Sequence, residues 1–176
     1  MEFTKYDTFG DYHWQEYEGL NSKEPEFAYK KHVDFVVGWV KEKDGLDIGC
    51  GDGLITSKLS FRGIDTSIKG IELAKQHGVQ AEVGDVYNLG DRKESVVYLG
   101  DTLEHLEHPD MAIEEIGRIT NLTYIATPHS EDGVVEEFGY TAWNPDKLTD
   151  FMKQHGWEEL SREVINKVIY GKYKKA

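Results

Sequence analysis

After Gly45, short apolar runs alternate with helical stretches, and this alternation restricts the fold more than any other feature of the 176-residue chain. The apolar runs cover residues 45–48, 61–64, 79–83, 95–100 and 122–127. Helical patterns cover residues 54–59, 68–77 and 110–119. Strands that alternate with helices indicate parallel βαβ units. The sequence therefore predicts an α/β fold with a mostly parallel sheet and helices on both of its faces.

The end of the chain departs from this alternation. A helical pattern at 145–155 is followed by strand-like runs at 156–160 and 163–170. The two residues between these runs are too few for a parallel crossover. We therefore predict an antiparallel hairpin at the edge of the sheet.

The first 44 residues have a different composition, with an aromatic-rich polar stretch at 6–17 and a predicted helix at 25–41. The aromatic residues have two interpretations: they form a lid over a bound ligand, or they pack the first helix onto the sheet. We predict a lid segment and helix at 1–44 and a core at 45–176, together forming one structural domain.

The charge of the chain excludes several kinds of partner. Lys and Arg number 20 against 33 Asp and Glu, a formal net charge of −13, so we expect neither nucleic acid nor membrane surfaces as partners. No apolar stretch approaches the roughly 20 residues that span a bilayer, and the first residues do not resemble a signal peptide. The single cysteine, Cys50, fits a reducing compartment. We expect a cytoplasmic protein.

A glycine-rich turn, LDIGCGDG at 46–53, lies where the first predicted strand meets a helix. Glycines allow a sharp turn and a close approach of a ligand to the backbone. The turn lacks the Lys-Ser/Thr ending of a phosphate-binding loop. Asp47 and Asp52 flank it, and they suit a ligand with a cationic group better than a triphosphate.

Two further acids follow at the ends of the next predicted strands. Asp65 ends the second strand, sixteen residues after Gly49, and Asp85 ends the third. A carboxylate at the first position can accept hydrogen bonds from both ribose hydroxyls, and one at the second can accept from an adenine amino group. Ligands of α/β proteins bind at this carboxyl edge of the sheet.

With the segments LDIGCGDG, GIDTS, GDV and DTLEHL in this order, the chain resembles the class I S-adenosylmethionine-dependent methyltransferases, in their small-molecule branch (types 11 and 23). The resemblance implies a Rossmann-like, seven-stranded sheet whose last strand is antiparallel. It implies S-adenosylmethionine as the cofactor and S-adenosylhomocysteine as its product. A nicotinamide dinucleotide is the competing ligand, but the third glycine of its binding pattern is missing here.

The resemblance also implies which residues contact the cofactor. The methionine part is assigned to the turn, the ribose to the end of the second strand, the adenine to the end of the third, and the sulfonium to the fourth. The implied residues are Asp47, Gly49, Cys50, Gly51, Asp65, Thr66, Asp85, Val86, Leu99 and Gly100.

The segment after the fourth strand carries the candidate catalytic residues, Asp101, Glu104 and His105, which share one face if the segment is a helical turn. His105 is a candidate general base for a hydroxyl acceptor. Alternatively, these three residues and His129 hold a divalent metal, as the E-x-x-E-H segments of some related methyltransferases do. This chain has Asp101 in place of the first Glu of that segment, which disfavours a metal site. We therefore assign no metal ligands. In a third interpretation the segment is a solvated turn, with His108 at the start of the next helix.

The segment 131–143 is a candidate acceptor loop, although a solvated acidic loop has the same composition. Its acidic and aromatic members are Glu131, Asp132, Glu136, Glu137, Phe138, Tyr140 and Trp143. We predict methyl transfer to a small-molecule acceptor, at oxygen, with nitrogen and carbon left open. The alternatives are a cofactor-binding protein without catalysis and an RNA 2′-O-methyltransferase, which the charge disfavours.

Overall fold

The structure is a computed structural model, and it describes residues 4–19, 28–135 and 137–176. The chain divides into two compact units, Met1–Val83 and Gly84–Ala176. The boundary at residue 44 stays a prediction. Among the described residues, no helix combines the length and the apolar character needed to cross a bilayer.

The described residues of the first unit, 4–19 and 28–83, form five helices and three parallel strands. Its helices are α1 Lys5–Phe9, α2 Tyr12–Tyr17, α3 Ala28–Trp39, α4 Leu54–Leu59 and α5 Ile68–Gln76. Its strands are β1 Leu46–Ile48, β2 Arg62–Asp65 and β3 Ala81–Val83, paired in the order β3-β2-β1. Helix α5 begins where Ser67 Oγ accepts the Gly70 N–H at 3.0 Å, and it buries Ile71 and Ala74. The predicted start of α3 at Pro25 lies outside the described residues.

In the second unit, the described residues form two helices, a 3₁₀ turn and four strands. The elements are β4 Val97–Gly100, the 3₁₀ turn Leu103–His105, α6 Pro109–Ile119, β5 Leu122–Pro128, α7 Pro145–Gln154, β6 Trp157–Ile165 and β7 Val168–Lys175. Strand β4 pairs in parallel with β5, whereas β7 is antiparallel to both β5 and β6. Pro109 fits the first turn of α6 because proline lacks the N–H that this position leaves unbonded.

The part of the chain that the structure describes has seven strands, with an antiparallel hairpin last, and this confirms the predicted Rossmann-like α/β fold. The predicted position of the hairpin turn is wrong. Ser161 and Arg162 pair with β7, and the chain reverses at Asn166 and Lys167, which have φ of 50° and 61°. Exposed polar residues in an edge strand look like a loop in the sequence, whereas Asn adopts the left-handed conformation that a tight hairpin requires.

Candidate functional site

The glycine-rich turn is bonded to strand β2 through its backbone. The N–H groups of Gly49 and Cys50 both donate to the Ile64 carbonyl oxygen, at 2.8 and 3.0 Å. Gly51 has a φ of 52°, in the left-handed region that favours glycine. The turn therefore depends on glycine for its conformation and presents bare backbone at this position.

Asp65, at the end of β2, accepts two backbone hydrogen bonds. Its Oδ2 accepts from the Gly51 N–H and its Oδ1 from the Ser67 N–H, each at 2.8 Å. Burial raises the pKa of Asp65, and the two hydrogen bonds oppose that shift. Thr66, the next residue, is exposed. The structure thus brings Asp65 and the glycine turn into direct contact, with the carboxylate aligned by both bonds.

Asp47 lies in β1 and is almost completely buried, with 3% exposure. Its Oδ2 accepts the Thr56 hydroxyl at 2.6 Å. Burial is the main cause that raises the pKa of Asp47 to about 7. Cys50 is buried as well, and burial raises the pKa of its thiol, which disfavours the reactive thiolate form.

Asp52 connects the glycine turn to α2. Its carboxylate accepts the His13 backbone N–H through Oδ2 and lies 3.1 Å from the His13 Nδ1 through Oδ1. The Trp14 indole N–H donates to the Asp52 carbonyl oxygen at 2.9 Å. Three groups of α2 are therefore bonded to one residue of the turn.

Aromatic rings extend this contact. Tyr6 of α1 is buried against Gly51, and its ring stacks with that of Tyr12 at 5.5 Å. The ring of Trp14 stacks on that of His77 at 3.9 Å, and His77 Nε2 lies 2.8 Å from Asp11 Oδ2. The N-terminal helix pair, α1 and α2, thus packs on the glycine turn and on the end of α5.

The remaining predicted cofactor residues belong to the second unit. Asp85 is exposed, and its Oδ1 accepts the Tyr87 N–H at 2.9 Å. Val86 is buried at 6% exposure, and Leu99 is completely buried in β4. Gly100 ends that strand and is half-buried. The side chain of Leu99 therefore packs in the hydrophobic core of its unit, whereas that of Asp85 is exposed to solvent.

The three candidate catalytic residues do not share one face. Asp101 is exposed with a φ of 47°, and only Leu103–His105 form the 3₁₀ turn. Glu104 points inward at 3% exposure, where its Oε2 accepts the Thr127 hydroxyl at 2.9 Å. His105 is half-buried, with its Nε2 3.7 Å from Glu104 Oε1. The left-handed residue at 101 interrupts the helical geometry that the spacing suggested.

Glu104 also holds the segment that follows β5. Its carbonyl oxygen accepts the N–H groups of Tyr140 and Thr141, at 2.8 and 3.2 Å. Trp143 is buried at the end of this segment and forms a parallel bridge with His129. The 3₁₀ turn and the candidate acceptor loop are therefore linked through one buried residue.

The other members of the candidate acceptor loop are more open. Glu131, Asp132, Glu137 and Tyr140 are exposed, Phe138 is half-buried, and Glu136 lies outside the described residues. His108 is exposed just before α6, and its N–H donates to the Tyr87 hydroxyl at 3.2 Å. Within residues 4–19, 28–135 and 137–176, the structure contains no group of three His, Cys, Asp or Glu placed to hold a metal ion.

Two contacts in these sites have no signal in the sequence. His13 and Asp52 are 39 residues apart, and Glu104 and Thr127 are 23 apart. Neither pair follows a helical or strand period, so only the fold shows that they meet. The nearest signal is the cluster of aromatic residues at 6–17. It marks the N-terminal segment as unusual, but it does not indicate which residues the segment contacts.

Part of the chain is similar to known proteins. Residues 46–121 match the family model described as a methyltransferase domain. A ubiquinone biosynthesis O-methyltransferase of Nitrosomonas europaea is 27% identical over 136 residues, which cover 68% of this chain. The match spans 57% of the length of that relative.

Solved structures share the fold at low sequence identity. A magnesium protoporphyrin IX methyltransferase from Synechocystis, with bound S-adenosylhomocysteine, has a TM-score of 0.76 at 16% identity, covering 98% of this chain and 97% of that one. A possible histamine N-methyltransferase from Thermotoga maritima has a TM-score of 0.79 at 16% identity, covering 99% and 98%. The acceptors named for these two proteins differ, so the shared fold leaves the acceptor open.

Proposed function

We propose that the chain is a class I S-adenosylmethionine-dependent methyltransferase and that it methylates a hydroxyl oxygen of a small molecule. The observation that carries the choice of oxygen is the match over 136 residues to a curated O-methyltransferase. The net charge of −13 supports an acceptor that is neither a nucleic acid nor strongly anionic.

The residues of the first unit fit the cofactor that the family uses. S-adenosylmethionine supplies a methyl group activated by its positive sulfur. Asp65 is proposed to accept the ribose hydroxyls, because two backbone bonds align its carboxylate at the end of β2. Asp47, Gly49, Cys50 and Gly51 are proposed to surround the methionine part, with Thr66 beside the ribose. The acids in this unit favour a cationic ligand.

In the second unit, we assign Asp85 and Val86 to the adenine and Leu99 and Gly100 to the floor below the sulfonium. The exposed carboxylate of Asp85 can accept a hydrogen bond from an amino group, and the buried Val86 offers an apolar surface beside it. These roles follow the order of the motifs along the chain.

On the acceptor side, Asp101 and His105 are proposed to contact the acceptor, because both present polar side chains near the end of β4. Glu104 has a positioning role instead. Its side chain is buried against Thr127 and its carbonyl oxygen holds Tyr140 and Thr141, so it orders the segment that we propose as the acceptor loop.

The test is a transfer assay with radiolabelled methyl donor and acceptors that present one reactive group each: catechols, aryl amines and aryl thiols. Formation of S-adenosylhomocysteine together with a methyl ether from a catechol is the expected result. Transfer to the amine or thiol alone contradicts the choice of oxygen. Binding of S-adenosylhomocysteine without any transfer contradicts the proposed oxygen acceptor and favours a binding protein without catalysis.

A further inference from the structure

A histidine and an aspartate meet where the N-terminal helix pair contacts the glycine turn. His13 Nδ1 lies 3.1 Å from Asp52 Oδ1, and the His13 N–H donates to Oδ2 of the same carboxylate. The Asp52 side chain is 1% exposed, whereas that of His13 is 24% exposed. A buried carboxylate therefore holds an imidazole that keeps part of its surface accessible to solvent.

This contact determines which ring nitrogen carries the proton. An ionised carboxylate only accepts hydrogen bonds, so in the neutral ring Nδ1 is the donor and Nε2 keeps its lone pair. The backbone bond from His13 holds the same carboxylate, and the Trp14 indole N–H binds the Asp52 carbonyl oxygen at 2.9 Å. Both partners of the pair are thus held in place.

Neighbouring rings restrict the imidazole further. The ring centroid of Tyr12 lies 4.0 Å from that of His13, and the Tyr29 ring stacks at 5.3 Å with an angle of 22° between the planes. The Tyr6 ring lies 6.0 Å away. These aromatic rings pack around the imidazole and restrict its orientation.

The pair lies beside the turn that binds the methyl donor in our proposal. Asp52 follows Gly51, whose N–H donates to the candidate ribose ligand Asp65 at 2.8 Å. A group held by Asp52 is therefore one residue from the proposed methionine site.

We propose that His13 is the general base for the acceptor hydroxyl and that Asp52 positions it; this rests on the proposed O-methylation. The acceptor oxygen forms a bond to the methyl carbon while the carbon–sulfur bond breaks, and that electron pair stays on sulfur to give S-adenosylhomocysteine. The hydroxyl proton passes to His13 Nε2 and then to water. General base catalysis of this kind contributes about 100-fold to 10,000-fold.

A purely structural role for the pair makes a different prediction. If Asp52 only anchors α2 through the His13 N–H, changing the imidazole lowers methyl transfer equally for every acceptor. A base is needed only by an acceptor that is still protonated. The acidity of the acceptor therefore separates the two roles.

The experiment compares 4-methylcatechol, which is protonated near neutral pH, with the acidic 4-nitrocatechol. For His13→Asn, whose amide can still donate to Asp52, we expect at least a roughly 100-fold loss with 4-methylcatechol and less than a tenfold loss with 4-nitrocatechol. Equal losses, or none, overturn the proposal and leave O-methylation standing. The same selective loss in His105→Asn, with none in His13→Asn, assigns the base to His105 instead.

His77→Asn is the matched control, because His77 pairs with Asp11 at 2.8 Å and joins the same helix pair to α5. It reports loosening of the helix pair, and its effect on the two catechols is expected to be equal. A selective effect of this variant equal to that of His13→Asn overturns the assignment to His13. Calorimetry with S-adenosylhomocysteine confirms that each variant still binds the product.

A second measurement needs no acceptor. Proton–nitrogen NMR of the neutral His13 ring is expected to show the Nδ1–H tautomer, and Asp52→Asn is expected to reduce its population. An Nε2–H tautomer overturns the proposal, since the base would then lack its lone pair. If the wild-type protein methylates neither catechol, the proposed function fails on that result, and the tautomer still decides whether His13 is poised to accept a proton.

Discussion

The phenol ring of Tyr6 occupies the space in which a side chain at Gly51 would begin. A Cβ built on Gly51 would overlap the Tyr6 hydroxyl oxygen and lie 2.7 Å from its Cζ. Tyr6 is 6% exposed, and Gly51 belongs to the turn that we propose as the binding site of the methionine part. The packing of α1 and the conformation of the glycine turn therefore depend on each other.

Gly51→Ala is expected to weaken binding of S-adenosylhomocysteine at least tenfold and to lower the free energy of unfolding by about 2 kcal/mol. The methyl group must displace Tyr6, and the φ of 52° is unfavourable for alanine. Calorimetry and urea unfolding measure the two effects.

Gly78→Ala separates these causes, because Gly78 has a φ of 76° and no atom within 4 Å of a built Cβ. In this control the only expected effect on the free energy of unfolding is the cost of placing alanine at a positive φ, without any steric overlap. Equal binding losses in the two variants would contradict a specific role for the contact between Tyr6 and Gly51.

Asp65→Asn is expected to weaken binding of S-adenosylhomocysteine by about 10-fold to 100-fold, since hydrogen bonds to a charged group are worth about 1.5–3 kcal/mol. The amide also turns one N–H group toward the backbone donor of Gly51 or Ser67. Asp34→Asn is the control, because Asp34 is exposed and pairs with Lys30 on α3. Unchanged affinity in Asp65→Asn would exclude Asp65 from the cofactor site.

Local patterns in the sequence were sufficient for most of the elements. Helix α4 has the predicted bounds, Leu54–Leu59, and helix α5 begins at the predicted Ile68. In both cases the boundary follows from glycines or a capping serine close by in the chain. The hairpin turn was misplaced because Ser161 and Arg162 lie in an edge strand, where polar residues face solvent and the pattern of burial is lost.

Side-chain partners could not be predicted in the same way. The spacing of Glu104 suggested a polar face, whereas the structure buries this residue against Thr127. Asp52 was recognised only as part of an acidic turn, without its partner His13. Such contacts depend on how distant segments pack, and a single sequence carries no periodic signal for them.

Glu104→Ala is expected to release the segment that contains Tyr140 and Thr141. Truncation leaves the buried Thr127 hydroxyl without its acceptor, which costs about 1–3 kcal/mol, and a cavity adds to the loss. The main-chain carbonyl oxygen of Glu104 accepts the N–H groups of Tyr140 and Thr141, and the buried side chain fixes its position. Hydrogen exchange at these two amides is therefore expected to accelerate in Glu104→Ala.

Glu107→Ala, at an exposed position two residues after the 3₁₀ turn, is the control for Glu104→Ala. It is expected to leave exchange at Tyr140 and Thr141 at the wild-type rate. Equal protection of these amides in the wild-type protein and in Glu104→Ala would show that the side chain of Glu104 does not order the segment.

The buried Asp47 makes the stability of the protein depend on pH. Its pKa is about 7 in the folded protein, where burial disfavours the charge, against 3.8 as the ordinary value. A raised pKa in the folded state gives a contribution to stability that is complete below the unfolded pKa and is lost as pH rises through the folded pKa. The loss between pH 4 and pH 7 is therefore about 4 kcal/mol at most.

Asp47→Asn removes this titration while its amide oxygen can still accept the Thr56 hydroxyl. The free energy of unfolding of the variant minus that of the wild-type protein is thus expected to rise from pH 4 to pH 7 and then to level off above pH 7. Urea unfolding of both proteins across this pH range measures this difference in the free energy of unfolding. The other acids titrate in the same way in both proteins, so their contributions cancel in the difference. A difference that stays constant with pH would mean that Asp47 ionises in the folded protein as it does in the unfolded chain.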